Sequence, residues 1–206
     1  MLLKKNIGAS FRNSRLIRGS STIVLRMIKI LAISGSLRAR SINKSILLAA
    51  KALAPKAVEI ILYEGIGSLP LFNPDHEDAG YPPVMDLRKQ LNESQGVIIA
   101  SPEYAHGVTG VIKNALDWVV GSGELVGKPV ALFNASSRSL YAPAALRETL
   151  KVMDTFIVDE ACVTVPFIGR EVTASDFAAN EQTSAVLYQA VTALARSIEG
   201  RRMGAV

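Results

Sequence analysis

The fold is decided by the stretch Ile28-Lys29-Ile30-Leu31-Ala32-Ile33, followed directly by Ser34-Gly35-Ser36-Leu37-Arg38-Ala39-Arg40-Ser41-Ile42-Asn43. The first six residues form a short, mostly apolar run, and the Ser-Gly-Ser after it is typical of a loop that ends a buried strand. From Asn43 onward apolar residues recur at helical spacing until Pro55 stops the pattern. The stretch therefore predicts a buried strand, a hydroxyl-rich loop and an α-helix in succession.

Strand and helix patterns continue to alternate along the rest of the chain. Further strands are predicted at 58–63, 97–100, 130–134 and within 156–165. Further helices are predicted at 83–93, 110–120, 142–153 and 180–199, and a long irregular connection at 64–83. Alternation of this kind is typical of a parallel sheet covered by helices on both faces. We therefore expect one α/β domain over residues 27–206, with a doubly wound, five-stranded parallel sheet.

The composition agrees with a domain of this class and excludes others. Hydrophobic residues make up 49% of the 206 residues, which is enough for a sizeable core. A single cysteine excludes an internal disulfide bond. No apolar run reaches the roughly 18 to 20 residues that a membrane span requires, so we expect no membrane association and a cytoplasmic protein.

The net charge of +5 is concentrated at the N-terminus. Residues 1–26 contain six of the 23 basic residues and no acidic one, which leaves 17 basic against 18 acidic residues in 27–206. A near-neutral domain lacks the positive field that attracts phosphate backbones, so we expect no nucleic-acid partner. We expect residues 1–26 to be a basic, disordered extension. A transit peptide, an arm that contacts another subunit, and sequence upstream of a start at Met27 are the alternatives.

The loop after the first strand carries the groups of an anion site. It offers hydroxyls at Ser36 and Ser41, the Arg38 guanidinium, the Asn43 amide and the N–H groups of a starting helix. It lacks the G-x-G-x-x-G of dinucleotide sites and the G-K-[ST] of nucleoside triphosphate sites, which favours a terminal monophosphate. The alternative is that Ser41 or Asn43 only caps the helix, with Arg38 and Arg40 solvated.

Two further loops should meet this one at the same edge of the sheet. The third strand is followed by Ser101-Pro102-Glu103-Tyr104-Ala105-His106-Gly107, and the fourth by Ala135-Ser136-Ser137-Arg138-Ser139. Proline stiffens a loop, glycine lets the backbone approach a flat ligand, and Tyr104 offers area for stacking. Because ligands of doubly wound sheets bind beyond the carboxyl ends of the strands, we expect the three loops to form one site. A solvated Glu103 is the alternative for that side chain.

These loops, together with Lys113-Asn114-Ala115-Leu116-Asp117-Trp118 downstream, resemble the NADPH-dependent FMN reductase family, which includes bacterial chromate and quinone reductases. The resemblance runs from about residue 29 to residue 195. It implies a flavodoxin-like fold, bound FMN, NADPH or NADH as co-substrate, and a homodimer or homotetramer. It further implies that the FMN phosphate is held by Ser36, Arg38, Ser41 and Asn43. The isoalloxazine would be lined by Pro102, Glu103 and Tyr104, and the loop positions add His106, Ser136 and Ser137 to the predicted cofactor-binding residues.

Two loops depart from the pattern of that family. After Tyr104 the family often has Asn, followed by Ser and Pro a few residues on, whereas this chain has Ala105-His106-Gly107-Val108-Thr109. The loop after the fourth strand is usually rich in glycine, but residues 136–140 contain none. Both departures lie where the backbone would approach the flavin.

The predicted function is transfer of hydride from NAD(P)H to bound FMN and on to a flavin, a quinone or an oxidised metal ion as small-molecule acceptor. The alternatives are a flavodoxin-type electron carrier without its own nicotinamide site and a non-catalytic flavin-binding module. Such carriers are commonly very acidic, and the net charge of −1 over residues 27–206 disfavours that class. Because the flavin performs the chemistry, we predict no catalytic side chain.

The remaining chemically distinctive side chains predict no additional site. His76, His106 and Cys162 are too far apart in sequence to form a metal site. We expect Cys162 to be an inert buried thiol within a strand. Trp118, the single tryptophan, is expected in the core or a subunit interface rather than against the flavin.

Overall fold

The computed structural model of the protein describes residues 27–165 and 172–204. The strands are β1 (Ile28–Ser34), β2 (Val58–Tyr63), β3 (Gly96–Ala100), β4 (Pro129–Asn134), β5 (Phe156–Ile157) and β6 (Val163–Thr164). The helices are α1 (Ile42–Leu53), α2 (Pro82–Glu93), α3 (Gly110–Val120), α4 (Tyr141–Val152), α5 (Ala174–Ala179) and α6 (Glu181–Gly204). The predicted basic extension at 1–26 lies outside the described residues.

The strands form one parallel sheet in the order β2-β1-β3-β4-β5, and β6 also pairs with β4. This 2-1-3-4-5 order is that of flavodoxin-like proteins, in which the direction of winding reverses between β1 and β3. The predicted fold class is confirmed. The loops that follow β1 and β3 lie on either side of this reversal, where the two halves of the sheet leave a crevice for a ligand.

Alternate side chains of β1 pack into two separate hydrophobic cores. Ile30 and Ala32 pack in a cluster with residues of α1, α5 and α6. Leu31 and Ile33 pack in a second cluster with residues of α2, α3 and α4. All four side chains are at most 6% exposed, which explains why β1 reads as a continuous apolar run rather than as an alternating one.

The segment 156–165, predicted to contain the fifth strand, consists of two strands of two residues each. A 3₁₀ turn at Asp159–Ala161 separates β5 from β6, and both strands pair with β4. Acidic residues are unfavourable in a strand, and Asp159 instead forms an ion pair with Arg147 of α4. The short helix α5, for which no pattern was identified, begins with a capping box between Thr173 and Asp176.

The helices of the described residues differ in length, and α6 is the longest with 24 residues. None of them combines the length and the mean hydropathy needed to cross a membrane.

Candidate active site

An open cleft of about 250 Å³ lies beyond the carboxyl ends of β1, β3 and β4. Three loops form its walls: residues 35–41 after β1, 101–109 after β3, and 135–140 after β4. Its lining residues include Ser36, Arg38, Arg40, Ser41, Asn43, Ser101, Pro102, Glu103, Tyr104, Asn134, Ser136 and Ser139. The convergence of three loops that are well separated in sequence agrees with the expected position of the ligand site.

The first loop is held close to the second by Gly35. The backbone N–H of Gly35 donates to the carbonyl of Ala100 at 2.8 Å, so the chain extends the β1–β3 ladder by one bond before it turns away. A Cβ atom on Gly35 would lie 2.4 Å from Oγ of Ser101 and 2.8 Å from Cγ1 of Ile112. Only glycine therefore allows this close approach of the two loops.

Helix α1 begins at the far end of this loop. Ser41 adopts an extended backbone conformation, and its Oγ accepts a hydrogen bond from the N–H of Lys44 at 3.3 Å. Ser41 is therefore the N-cap of α1, as one of the two sequence alternatives proposed. Because its hydroxyl can still donate and it also lines the cleft, capping and ligand binding are compatible at this residue.

The buried polar side chains of this loop face the cleft. Ser36, Ser41 and Asn43 are each less than 10% exposed and line it, whereas Arg38 is exposed at its rim. Oδ1 of Asn43 is buried and has no hydrogen-bond partner among residues 27–165 and 172–204. Leaving a buried acceptor without a partner costs about 1 to 3 kcal/mol, so a ligand that donates to it gains that free energy on binding.

The second loop contains a tight hairpin turn. Tyr104 and Gly107 exchange two backbone hydrogen bonds, and the residues between them, Ala105 and His106, have φ values of +49° and +59°. Two consecutive residues with positive φ are typical of a type I′ turn, which normally uses Asn or Gly. The departure from the family pattern after Tyr104 thus coincides with a strained backbone beside the cleft.

The second loop is also bonded to the start of α4. Oε2 of Glu103 accepts hydrogen bonds from the backbone N–H groups of Tyr141 at 2.7 Å and Ala142 at 2.8 Å. The imidazole of His106 stacks on the ring of Tyr141, with 4.1 Å between the ring centroids and 21° between the planes. The Glu103 carboxylate is therefore not simply solvated, which was the alternative expectation.

The third loop is organised by the last residue of β4. Oδ1 of Asn134 accepts from the N–H of Ser136 at 3.1 Å, and its Nδ2 donates to the carbonyl of Ser139 at 3.3 Å. Both serines line the cleft, whereas Ser137 is exposed and is not among the lining residues. The side chain of Asn134 thus gives this glycine-free loop a defined shape.

Most of the predicted cofactor-binding residues come together in this cleft. Those that line it are Ser36, Arg38, Ser41, Asn43, Pro102, Glu103, Tyr104 and Ser136. His106 and Ser137 are in the predicted loops but are not lining residues. Ser101, Asn134 and Ser139 line the cleft and were not singled out. Ser101 and Asn134 stand at or just after the end of a strand, which is the signal that could have identified them, whereas Ser139 lies further along the loop after β4.

The other distinctive side chains lie away from this cleft. Trp118 is fully buried, as predicted for a core residue. Sγ of Cys162 accepts a hydrogen bond from the N–H of Leu132 at 3.3 Å, and burial is the main cause that raises the pKa of this half-buried thiol. Among residues 27–165 and 172–204 no group of three or more His, Cys, Asp or Glu side chains could hold a metal ion.

Fold and cleft together define a doubly wound α/β protein with a cleft beyond the carboxyl ends of its strands, lined by hydroxyl, guanidinium and aromatic side chains from three loops. Comparison with known proteins identifies one family within this class. The sequence model of the NADPH-dependent FMN reductase family matches residues 28–169. The chain belongs to this family.

Individual relatives and a solved structure agree with that assignment. An NAD(P)H-dependent FMN reductase from Pseudomonas aeruginosa is 38% identical over 133 residues, which cover 62% of this chain and 71% of the relative. A quinone reductase from Escherichia coli K12 is 30% identical over 141 residues, which cover 65% and 74%. The structure of FerB, a flavoenzyme NAD(P)H:(acceptor) oxidoreductase from Paracoccus denitrificans, is similar with a TM-score of 0.70, 28% identity and coverage of 84% and 98%.

The family assignment makes the protein an FMN-dependent oxidoreductase that uses NAD(P)H, and it favours the reductase over the electron carrier. The residues of the cleft fit FMN. Its phosphate can accept hydrogen bonds from the hydroxyls of Ser36 and Ser41 and from the guanidinium of Arg38. Its ribityl hydroxyls are donors that can satisfy the unpaired Oδ1 of Asn43.

Proposed function

We propose that the protein uses NAD(P)H to reduce a quinone or a free flavin, with FMN bound in the cleft between the loops after β1, β3 and β4. The observation that carries this proposal is the convergence of hydroxyl-bearing, charged and aromatic side chains from three loops at the reversal point of the sheet. The unpaired Oδ1 of Asn43 at this cleft supports it, because a buried polar atom is rarely left without a partner.

The phosphate end of the proposed FMN site is the loop after β1. Ser36, Arg38, Ser41 and Asn43 surround the N-terminus of α1, whose first N–H groups have no acceptor within the helix. The helix dipole and the Arg38 guanidinium both favour a dianionic phosphate at this point.

The ring end of the proposed site is formed by the loops after β3 and β4. Pro102, Glu103 and Tyr104 supply one part of the wall, and Ser136 supplies another. Tyr104 is 56% exposed, so its ring is available for a contact that the protein alone does not provide. We retain His106 and Ser137 as predicted contacts at the outer rim of this end, because both belong to loops that border the cleft.

When bound, FMN would supply the hydride- and electron-transfer chemistry. The part of the protein is to bind the phosphate, to orient the ring and to leave one side of it accessible. The open shape of the cleft supports an acceptor that enters from solvent. A planar quinone matches this requirement, and the similarity to a quinone reductase supports that class of acceptor.

We propose further that the protein acts as a homodimer or homotetramer in the cytoplasm. A groove of about 420 Å³ between α3 and α4 supports self-association, because Val120 and Val152 on its sides are 50% and 78% exposed. The single cysteine is compatible with a reducing compartment. Light scattering during size-exclusion chromatography measures the number of subunits directly.

The experiment that tests the proposed function combines a flavin spectrum with turnover. The purified protein, supplied with FMN, is expected to show bound-flavin absorbance and to oxidise NADPH or NADH only when benzoquinone or excess FMN is present. Bound FMN without any NAD(P)H oxidation would contradict the reductase and favour the electron carrier.

Substitution of one arginine tests the phosphate assignment. Arg38→Ala is expected to weaken FMN binding roughly 10- to 100-fold, because hydrogen bonds to charged groups contribute about 1.5 to 3 kcal/mol. Arg196→Ala on the exposed surface of α6 is the matched control and should leave FMN affinity unchanged. Equal affinities of the Arg38→Ala variant and the wild type would rule out this phosphate site.

A further inference from the structure

The loop after β3 is fastened to the start of α4 at two points that are close in space. The first point is the pair of hydrogen bonds from the N–H groups of Tyr141 and Ala142 to Oε2 of Glu103, at 2.7 and 2.8 Å. The second is the stacking of His106 on Tyr141. The contacts join segments that are more than 30 positions apart in sequence, so they constrain the relative position of two loops rather than one turn.

Helix α4 has no cap of its own. Leu140, at its N-cap position, carries no side-chain acceptor, and no side-chain hydrogen bond caps the helix from that residue. The first N–H groups of a helix need acceptors, and a negative charge is favourable at the positive end of the helix dipole. The carboxylate of Glu103, in the loop after β3, supplies both the hydrogen-bond acceptor and the negative charge. Its accepting oxygen is therefore committed to α4 within the protein itself.

The residues fastened in this way continue into the wall of the cleft. Ser136 and Ser139 line the cleft in the loop that leads into α4, and the side chain of Asn134 bonds to the backbone of both. The loop after β4 is thus held at one end by Asn134 and at the other by Glu103. Loss of the second attachment would leave this wall free to move relative to the loop after β3, which contains Pro102.

The strained backbone of the second loop brings His106 into contact with Tyr141, at the second of the two attachment points. His106 has a φ of +59°, a conformation that is unfavourable for a residue with a side chain, and in it the imidazole stacks on Tyr141. Strain of this kind persists where surrounding contacts hold it. The bonds of Glu103 to α4 are such contacts, since they lie three residues earlier in the same loop.

We propose that Glu103 is a positioning residue for the flavin, which acts by clamping the N-terminus of α4 to the loop after β3, with the His106–Tyr141 stack as the second point of the clamp. The clamp sets the distance between the two walls that receive the ring. The proposal rests on the proposed binding of FMN in this cleft. It assigns the carboxylate of Glu103 an action through α4 instead of a direct bond to the flavin.

The first test needs no flavin. In the ligand-free protein, Glu103→Ala is expected to raise the hydrogen-exchange rates of the Tyr141 and Ala142 amides roughly tenfold or more, because both lose their acceptor. Asp176→Ala is the matched control, since this carboxylate accepts from the N–H of Thr173 at 2.9 Å at the start of α5 and does not line the cleft. The control should change exchange near residues 173–176 only.

The second test measures the flavin itself. Glu103→Ala should weaken FMN binding roughly tenfold in a fluorescence titration and change the visible circular dichroism of the bound flavin. Glu103→Gln keeps one acceptor oxygen and should restore the dichroism spectrum towards that of the wild type. Tyr141→Ala leaves the carboxylate in place but removes the stack, and should change both readouts in the same direction to a smaller extent. Asp176→Ala should leave both unchanged.

Three results would overturn the clamp: unchanged exchange at Tyr141 and Ala142 in Glu103→Ala, unchanged FMN affinity in that variant, or a loss of affinity that Tyr141→Ala does not reproduce at all. The last result would mean a direct contact between Glu103 and the flavin. A wild-type protein that binds FMN but does not oxidise NAD(P)H would contradict the proposed function and leave the clamp intact.

Discussion

Nε1 of Trp118 donates a hydrogen bond of 2.7 Å to the carbonyl oxygen of Pro70. The same oxygen accepts from Nδ2 of Asn114 at 2.9 Å, and Oδ1 of Asn114 accepts from the N–H of Phe72 at 2.8 Å. Helix α3 therefore holds the backbone of the irregular connection 64–83 through two side chains one helical turn apart. The motif that contains Asn114 and Trp118, which contributed to the family resemblance, has a structural role here and does not line the cleft.

Removal of the Asn114 side chain should destabilise the protein. Asn114→Ala deletes two hydrogen bonds to the connection and leaves the N–H of Phe72 without this acceptor, so the free energy of unfolding is expected to fall by about 2 kcal/mol. Urea denaturation measures the change. Leu71→Ala, in the same segment but 87% exposed, should alter stability by less than about 0.5 kcal/mol. Equal losses for the two variants would argue against this role of Asn114.

Relief of the positive φ at Ala105 should stabilise the protein. Ala105→Gly removes the Cβ atom from a backbone conformation that costs an L-residue about 1 to 2 kcal/mol, and the extra freedom of glycine in the unfolded chain offsets part of this gain. We expect a net increase of about 1 kcal/mol in the free energy of unfolding. Ala144→Gly, exposed in α4, should have the opposite sign. A destabilised Ala105→Gly variant would contradict the strain inferred at this turn.

Addition of a methyl group at Gly35 should separate the first two loops. In Gly35→Ala the new Cβ would collide with Ser101 and Ile112, and overpacking of this kind costs about 1 to 3 kcal/mol. Thermal unfolding and FMN titration should both show the loss. Gly110→Ala, where a Cβ meets nothing within 4 Å, should be neutral or slightly stabilising at the start of α3. A tolerated Gly35→Ala would mean that the loops do not need this close approach.

Tyr63 should make the stability of the protein depend on alkaline pH. Burial, with a smaller contribution from Asp86, raises the pKa of this phenol from 10.0 to about 12. Between these two values the folded state binds more protons than the unfolded state, so the contribution of Tyr63 to stability is complete below pH 10 and is lost as the pH rises towards 12. The Tyr63→Phe variant has no phenol to ionise, so its stability should not fall for this reason.

The measurement compares the two proteins in urea at pH 9 and pH 11.5. The stability of the wild type should fall more steeply with pH than that of Tyr63→Phe, which loses the 3.4 Å hydrogen bond to the carbonyl of Pro83. Parallel pH profiles of the two proteins would show that the phenol of Tyr63 has the same pKa in the folded and the unfolded state.

Local patterns predicted most of the architecture. The apolar run of β1, the cap at Ser41 and the stop at Pro55 determine a strand, a loop and a helix whatever surrounds them, because they act within a few residues of one another. The segment 156–165 was harder to predict. Its apolar residues favour a strand, whereas the ion pair of Asp159 with Arg147, which favours a turn, involves a residue 12 positions away.

The candidate site, too, was predicted from the sequence only in part. The sequence by itself determined which residue types follow each strand, and the parallel order of the sheet then requires Arg38, Tyr104 and Ser136 to lie at one edge. Only the tertiary structure decided what each side chain does there. The carboxylate of Glu103 caps α4, and Oδ1 of Asn43 has no partner among the described residues. Neither outcome could be predicted from the sequence, because the groups around each side chain come from distant segments whose positions no local pattern encodes. Spacing along the chain predicts which loops meet, whereas the hydrogen bonds formed there depend on packing to within a fraction of an ångström.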